Sequence, residues 1–218
     1  FTFDGGNVVV SATLRIDTEQ GGTDNGGLIN LNLSGASNIS ADATGFTLTL
    51  DTSTGTGTAG AVTIGAVNNT SGQYLDSLVI NADGPTDGIV TLQGDISVDG
   101  GAVTIDGLIR LPGSLTIDTE DGDNQTGGNV NLAVNSGDVS ATAGDVDLTV
   151  TTNSTGNTAG NISLPAFTSS GGNFVNDVTL NLAGTTAGTL TLNGSISLDA
   201  GTDAADVAVS GGGAVLVA

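Results

Sequence analysis

Carboxylates are the side chains in this sequence with the greatest capacity for chemistry, and two short stretches concentrate them. Their acidic residues are Asp118, Glu120, Asp121 and Asp123 in one stretch and Asp17, Glu19 and Asp24 in the other. Calcium takes six to eight oxygen ligands, which turns rich in Asp, Asn and backbone carbonyls can supply. These residues are therefore the candidate metal ligands, and Ca²⁺ is the one cofactor that the sequence suggests.

The same stretches also have an interpretation without metal. They reproduce neither the Gly-Gly-x-Gly-x-Asp repeat of toxin β-rolls nor the twelve-residue loop of helix-loop-helix calcium proteins. Asp121 and Asp123 correspond to Gln20 and Gly22 in the other stretch, so the ligand set differs between the two. An acidic turn exposed to water is the alternative to a calcium site.

The triplet Asp-Thr-Glu is shared by the two stretches, at 17–19 and 118–120, and follows a predicted strand in each. The isoleucine before the triplet is expected to point inward, so the aspartate begins on the outer side. The threonine then points inward or starts the corner. An outward carboxylate in every repeat keeps an extended protein soluble and prevents lateral strand pairing.

Few other residues could support catalysis. The 218-residue chain has no His, Cys or Met, and its two basic residues are Arg15 and Arg110. Thiol nucleophiles, disulfides and thiolate metal sites are therefore excluded. Paired carboxylates can hydrolyse glycosides, but the basic and aromatic residues that orient a sugar are almost absent. We expect no enzymatic activity, and we expect each arginine to pair with a nearby aspartate.

The charge of the chain limits its partners. A formal net charge of −21 repels nucleic acid and anionic membrane surfaces. No apolar run approaches the roughly 20 residues that span a bilayer. We therefore expect neither nucleic-acid binding nor membrane insertion by this segment. The first residue is Phe and no signal-peptide pattern follows it, so we interpret the chain as a section of something longer.

An internal repeat organises the whole sequence. "LRIDTEQGGTDNGGLINL" at 14–31 returns as "LTIDTEDGDNQTGGNVNL" at 115–132, and residues 77–101 return at 177–201. The last twelve residues, "VAVSGGGAVLVA", resemble the first twelve, "FTFDGGNVVVSA". We therefore predict one repeat at 1–102, a second at 103–206 and the start of a third at 207–218.

Alternating apolar residues predict short strands, as in "VTI" at 62–64 and at 103–105, and no helical stripe is present. In 89–117 the strand centres lie only about six or seven residues apart, a spacing that suits a coil with three short faces. We predict an all-β parallel β-helix with about 20 residues per coil, five coils per repeat and a rod about 50 Å long. Its narrow interior would admit an occasional Phe, at Phe46, Phe167 and Phe174. Tandem β-sandwich domains are the alternative.

Residues 78–119, "LVINADGPTDGIVTLQGDISVDGGAVTIDGLIRLPGSLTIDT", resemble the repeats of large bacterial adhesins of the filamentous haemagglutinin type. The resemblance extends over nearly the whole chain and rests on generic motifs such as "VTLxGxI" and "LxIDT". It implies a right-handed parallel β-helix, export, and a role as the elongated shaft of an adhesin or matrix fibre.

We therefore predict a structural, non-catalytic section of a filament located outside the cell or on its surface. Its expected partners are neighbouring repeats or copies of itself, with host or matrix carbohydrate as a further candidate. Two other functions remain open. One is a subunit that polymerises end to end, and the other is a carbohydrate- or ice-binding module with a flat face of aligned Thr, Asn or aromatic residues.

Overall fold

The structure is a computed structural model, and it describes residues 1–3, 5–21, 24–31, 38–68, 73–121, 125–135, 137–198, 205–211 and 213–217. These residues form strands and turns without a helix. The strands are β1 (Val8–Val10), β2 (Leu14–Asp17), β3 (Ile29–Leu31), β4 (Ile39–Ala41), β5 (Thr47–Asp51), β6 (Val62–Ile64), β7 (Ser77–Asn81), β8 (Ile89–Leu92), β9 (Ile96–Ser97), β10 (Val103–Asp106), β11 (Leu108–Leu111), β12 (Leu115–Asp118), β13 (Val130–Val134), β14 (Asp138–Ala141), β15 (Val146–Thr151), β16 (Ile162–Leu164), β17 (Ala166–Phe167), β18 (Val175–Asn181), β19 (Leu190–Leu192), β20 (Val207–Ser210) and β21 (Val215–Val217).

Successive strands lie on three faces in turn, and each ladder between them is parallel. Face 1 contains β1, β4, β9, β12, β15, β18 and β20, with Val67 bridging the gap between β4 and β9. Face 2 contains β2, β5, β7, β10, β13, β16, β19 and β21. Face 3 contains β3, β6, β8, β11, β14 and β17, with single bridges at Thr2 and Ile196 extending it. The chain is a parallel β-solenoid, as predicted, and not a series of β-sandwich domains.

The coils are longer than predicted. On face 2 the register pairs Leu14 with Leu48, an offset of 34 residues, and Leu78 with Val103, an offset of 25. An offset near 20 occurs only around 89–117, for example 19 between Ile89 and Leu108, because the corners there are shortest. A 100-residue repeat therefore holds between three and four coils instead of five. The eight strands of face 2 span seven steps of about 4.8 Å, or about 34 Å, instead of 50 Å.

The interior is a continuous column of aliphatic side chains from all three faces. Alternate residues are buried in most strands between the two ends, so that Val62, Ile64, Val103 and Ile105 are fully enclosed, as the two-residue period predicted. Phe167 is also fully buried. The other two phenylalanines that were expected inside, at 46 and 174, are only half-buried at the starts of strands.

Equivalent strands of the two repeats lie on different faces. β2 on face 2 corresponds in sequence to β12 on face 1, and β6 on face 3 corresponds to β16 on face 2. Among the described residues, the second repeat contains the ten strands β10 to β19 and the single bridge at Ile196, which makes eleven strand segments. Eleven segments on three faces make three and two-thirds coils. The second repeat is therefore rotated by one face relative to the first, while β10 pairs with β7 across the boundary.

Glycine columns allow the coils to stack closely at two corners. A Cβ at Gly160 would collide with the carbonyl oxygen of Gly128 in the coil before it, and a Cβ at Gly188 would collide with that of Gly160. The corresponding column in the first repeat contains Gly60 and Gly88. Glycine is required at these positions because two backbones meet where a side chain would stand.

Candidate functional site

The shared Asp-Thr pair closes a corner of the solenoid. The Oδ1 atoms of Asp17 and Asp118 each accept a hydrogen bond of 3.0 Å from the backbone N–H two residues later, and Asp51 receives the same bond from Ser53. Such a bond ends a strand with a turn. The repeated aspartate therefore has a structural role at the end of the strand.

The threonine after this aspartate fastens the loop that follows. The Oγ1 atoms of Thr18 and Thr119 donate to the carbonyl oxygens nine residues later, at 2.8 and 2.7 Å. Thr52 and Thr152 make the same bond to carbonyls eight residues later, at 2.7 and 2.8 Å. Thr119 is completely buried. This agrees with the prediction that the threonine points inward or starts the corner. These four bonds clamp one loop in each of four coils.

The predicted calcium ligands are divided between two corners. The stretch with Asp17, Glu19 and Asp24 follows β2, where faces 2 and 3 meet, whereas the stretch with Asp118, Glu120 and Asp121 follows β12, where faces 1 and 2 meet. Asp123 lies outside the described residues. In the described part of the chain, no three Asp or Glu side chains are close enough together to hold a metal ion. The calcium site stays a prediction.

Glu120 is not the solvent-exposed carboxylate that an acidic turn would suggest. Only 1% of its surface is exposed, and its Oε1 accepts a 2.8 Å hydrogen bond from the backbone N–H of Gln125. The side-chain amide of Gln125 in turn donates to Asp99 Oδ1 at 2.8 Å. The acidic stretch is thereby connected to a residue of the neighbouring coil.

Both arginines pair with aspartates, as predicted. Arg15 Nη2 lies 2.6 Å from Asp51 Oδ2 and 3.0 Å from Asp17 Oδ2, and so bridges two carboxylates that are register partners. Arg110 Nη1 lies 2.8 Å from Asp138 Oδ1. The Arg110 side chain is only 16% exposed, whereas that of Arg15 is 60% exposed, so the Arg110 ion pair is the more enclosed of the two.

A column of polar residues stands at the carboxyl ends of the face 2 strands, where Asp17, Asp51, Asn81 and Asp106 are successive register partners. Burial alone would raise the pKa of Asp51, but hydrogen bonds from Ser53 and the contact with Arg15 hold that pKa below its usual value. Its carboxylate is therefore stabilised in the ionised form.

Asp106, in the same column, has the opposite environment. Only 5% of its surface is exposed, and its Oδ1 is buried without a hydrogen-bond partner. Burial raises the pKa of Asp106 to about 6, the nearby Asp83 and Asp87 carboxylates add to the rise, and a hydrogen bond from Asn135 opposes it. The sequence analysis did not identify Asp106, because an aspartate after an alternating segment such as "VTID" is an ordinary way for a strand to end.

A cleft of about 280 Å³ lies at the corner between faces 1 and 2. Its lining residues come from four successive coils and are Thr44, Gly45, Tyr74, Asp76, Asp99 and Gln125. Tyr74 is the only tyrosine of the chain. The cleft therefore brings together an aromatic ring, two carboxylates and an amide, with Gln125 held in place by Glu120 and Asp99.

Sequence reasoning missed this cleft. Its residues are separated by 23 to 30 positions along the chain, from 45 to 74, from 76 to 99 and from 99 to 125, so their proximity depends on the true coil length. The single signal that could have indicated it is the isolated tyrosine, since the rest of the chain avoids large polar aromatics.

Threonine alignment is limited to narrow columns. Thr116, Thr149 and Thr179 are register partners on the outer side of face 1. In the run "TSTGTGTAG", however, Thr52 and Thr54 are buried and bonded to loop carbonyls. These threonines belong to the corners and do not extend a flat outer face.

No protein family, curated protein or solved structure matches this chain. Among the described residues, no helix is long and apolar enough to cross a membrane.

Proposed function

We propose that this chain is a section of the shaft of an extracellular or cell-surface filament of the adhesin type, with a mechanical and not a catalytic role. The observation that carries the proposal is the unbroken ladder across the repeat boundary, where β10 pairs with β7 of one repeat and β13 of its own. At that point the β7–β10 ladder keeps its register, and the buried apolar residues on either side belong to one continuous core. Added repeats would lengthen such a structure without changing its cross-section.

The outer surface suits an isolated shaft. Of the 25 charged side chains, 23 are acidic, so neighbouring shafts repel each other and strands do not pair laterally. Divalent cations could screen this repulsion between filaments. The acidic charge thus sets the spacing of filaments without requiring a dedicated metal site.

The test of the shaft uses an antibody against this chain on the native material. We expect surface labelling and thin filaments by electron microscopy, with about 18 Å of length for each 100-residue repeat, from three and two-thirds coils of about 4.8 Å. Labelling of compact particles inside the cell, with no filament, would contradict the proposal.

A second candidate, a subunit that polymerises end to end, is favoured by the terminal coils. They expose apolar side chains, including Phe1 at 59% and Val217 at 79% exposure. Such coils can be covered by further coils of the same chain or by another copy. The mass of the denatured native material separates the two, because separate subunits would give a chain of a few repeats and a tandem array would give one very large chain.

A further inference from the structure

We propose that the cleft around Tyr74 binds a protonated amino sugar, that is, a saccharide unit with a free ammonium group. The cleft crosses four coils at the corner between faces 1 and 2, so it is about 14 Å long at about 4.8 Å for each of three coil steps. This length and the volume of about 280 Å³ suit one or two sugar units.

Charge indicates the ammonium group. Asp76 and Asp99 line the cleft, and the only two basic side chains of the protein, Arg15 and Arg110, are bound to other aspartates. The two carboxylates in the cleft therefore lack a cationic partner from this chain's side chains. A cation that enters between them and against the tyrosine ring gains both charge-assisted hydrogen bonds and a cation–π contact.

Hydrogen bonding indicates the sugar. Gln125 keeps its amide in a fixed position, with its side-chain nitrogen bonded to Asp99 Oδ1 at 2.8 Å and its backbone N–H bonded to Glu120. Thr44, between β4 and β5, lines the cleft three coil steps away from Gln125 and carries a hydroxyl group. Amide, hydroxyl and carboxylate groups together donate to and accept from the hydroxyls of a sugar.

The second repeat supplies a natural comparison. Phe174 and Asn176 occupy the positions that correspond to Tyr74 and Asp76. The corresponding corner thus has a ring without the hydroxyl and an amide without the charge. By this reasoning, it should bind the ligand weakly or not at all.

The experiment uses the fluorescence of Tyr74, which reports on this cleft alone because the chain has no other tyrosine and no tryptophan. The probes are a glucosamine oligomer, its N-acetylated form, a glucose oligomer of equal length, and methylamine, all at the same ionic strength. We expect a saturable change with the glucosamine oligomer and at least tenfold weaker binding of the other three. Equal binding of the acetylated or glucose oligomer would overturn the role of charge, and equal binding of methylamine would overturn the role of the sugar.

Variants then locate the binding. Asp76→Asn, which installs the residue of the second repeat, and Asp99→Asn should each weaken the glucosamine oligomer about tenfold, as the loss of one charge-assisted hydrogen bond does. Asp145→Asn removes an exposed carboxylate away from the cleft and should leave binding unchanged. If all three variants weaken binding equally, the attraction is nonspecific and the proposal fails.

Two further results would also overturn it: no fluorescence change with any probe, or a saturable change with Ca²⁺ alone that abolishes the response to glucosamine. Circular dichroism of each variant verifies the fold. The proposal stands independently of the shaft, because the ladder needs no ligand, so failure of one leaves the other intact.

Discussion

Replacing Asp106 by asparagine should stabilise the solenoid at neutral pH. The buried carboxyl has its pKa raised from 3.8 to about 6, so the folded state holds a proton that the unfolded state has already lost. The contribution of the Asp106 carboxyl to the stability of the fold is fully present below pH 4, and it is lost as the pH rises through 6. A shift of about two pKa units corresponds to about 3 kcal/mol. Asparagine keeps the acceptor for Asn135 and never ionises.

The assay is unfolding in urea, followed by circular dichroism between pH 3.5 and 8, for the natural chain and for Asp106→Asn. The free energy of unfolding of the variant should exceed that of the natural chain by almost nothing at pH 3.5 and by about 3 kcal/mol above pH 6.5. Because a solenoid can open locally, hydrogen exchange of residues 103–111 gives the same comparison within the affected coil.

The matched control is Asp51→Asn, from the same column. The pKa of Asp51 is lowered, so its contribution is present at neutral pH and is lost as the pH falls, and removing it should destabilise the chain at pH 7. Parallel stability curves for Asp106→Asn and the natural chain from pH 3.5 to 8 would refute the reasoning, as would equal effects of the two variants.

Three further tests concern contacts between neighbouring coils. Gly160→Ala places a methyl group against a carbonyl of the previous coil and should lower the free energy of unfolding in urea by about 3 kcal/mol. Gly144 has open space around it, so Gly144→Ala should lower that free energy by less than about 1 kcal/mol. Equal losses in the two variants would contradict the close stacking of the coils. Thr119→Val loses the clamp on its loop and should cost about 1–2 kcal/mol, while Thr116→Val on the outer side of face 1 should change stability by less than about 0.5 kcal/mol. Arg110→Gln should cost about 1–3 kcal/mol by thermal unfolding, since it leaves a half-buried carboxylate without its cation; no loss would mean that this pair contributes nothing.

The strands and their inward residues were predictable because alternation leaves little ambiguity. Val103 and Ile105 can face inward only if Thr104 faces outward, whatever the lengths of the corners. Coil length was not predictable in the same way. The single residue Gly107 separates β10 from β11, whereas eleven residues separate β12 from β13, and both spacings are compatible with parallel stacking.

The acidic residues illustrate a second limit of the sequence. Asp118 and Glu120 are both acidic and lie two positions apart, yet the first ends a strand and the second is buried and accepts a hydrogen bond from Gln125. Their environments depend on coils about 20 to 30 residues away, as does the cleft that joins Tyr74 to Asp99. Local patterns identify the strands, but the sites are made by contacts between coils.

Because eleven strand segments do not divide evenly among three faces, a longer array of such repeats would wind helically about its axis. Each repeat would present its corners one-third of a circumference away from those of the repeat before it, and the original orientation would return after three repeats, about 53 Å along the axis. A recognition element on one corner would therefore be displayed to all sides of a long fibre. Whatever approaches from any direction would meet one copy per helical period, and no side would be blank.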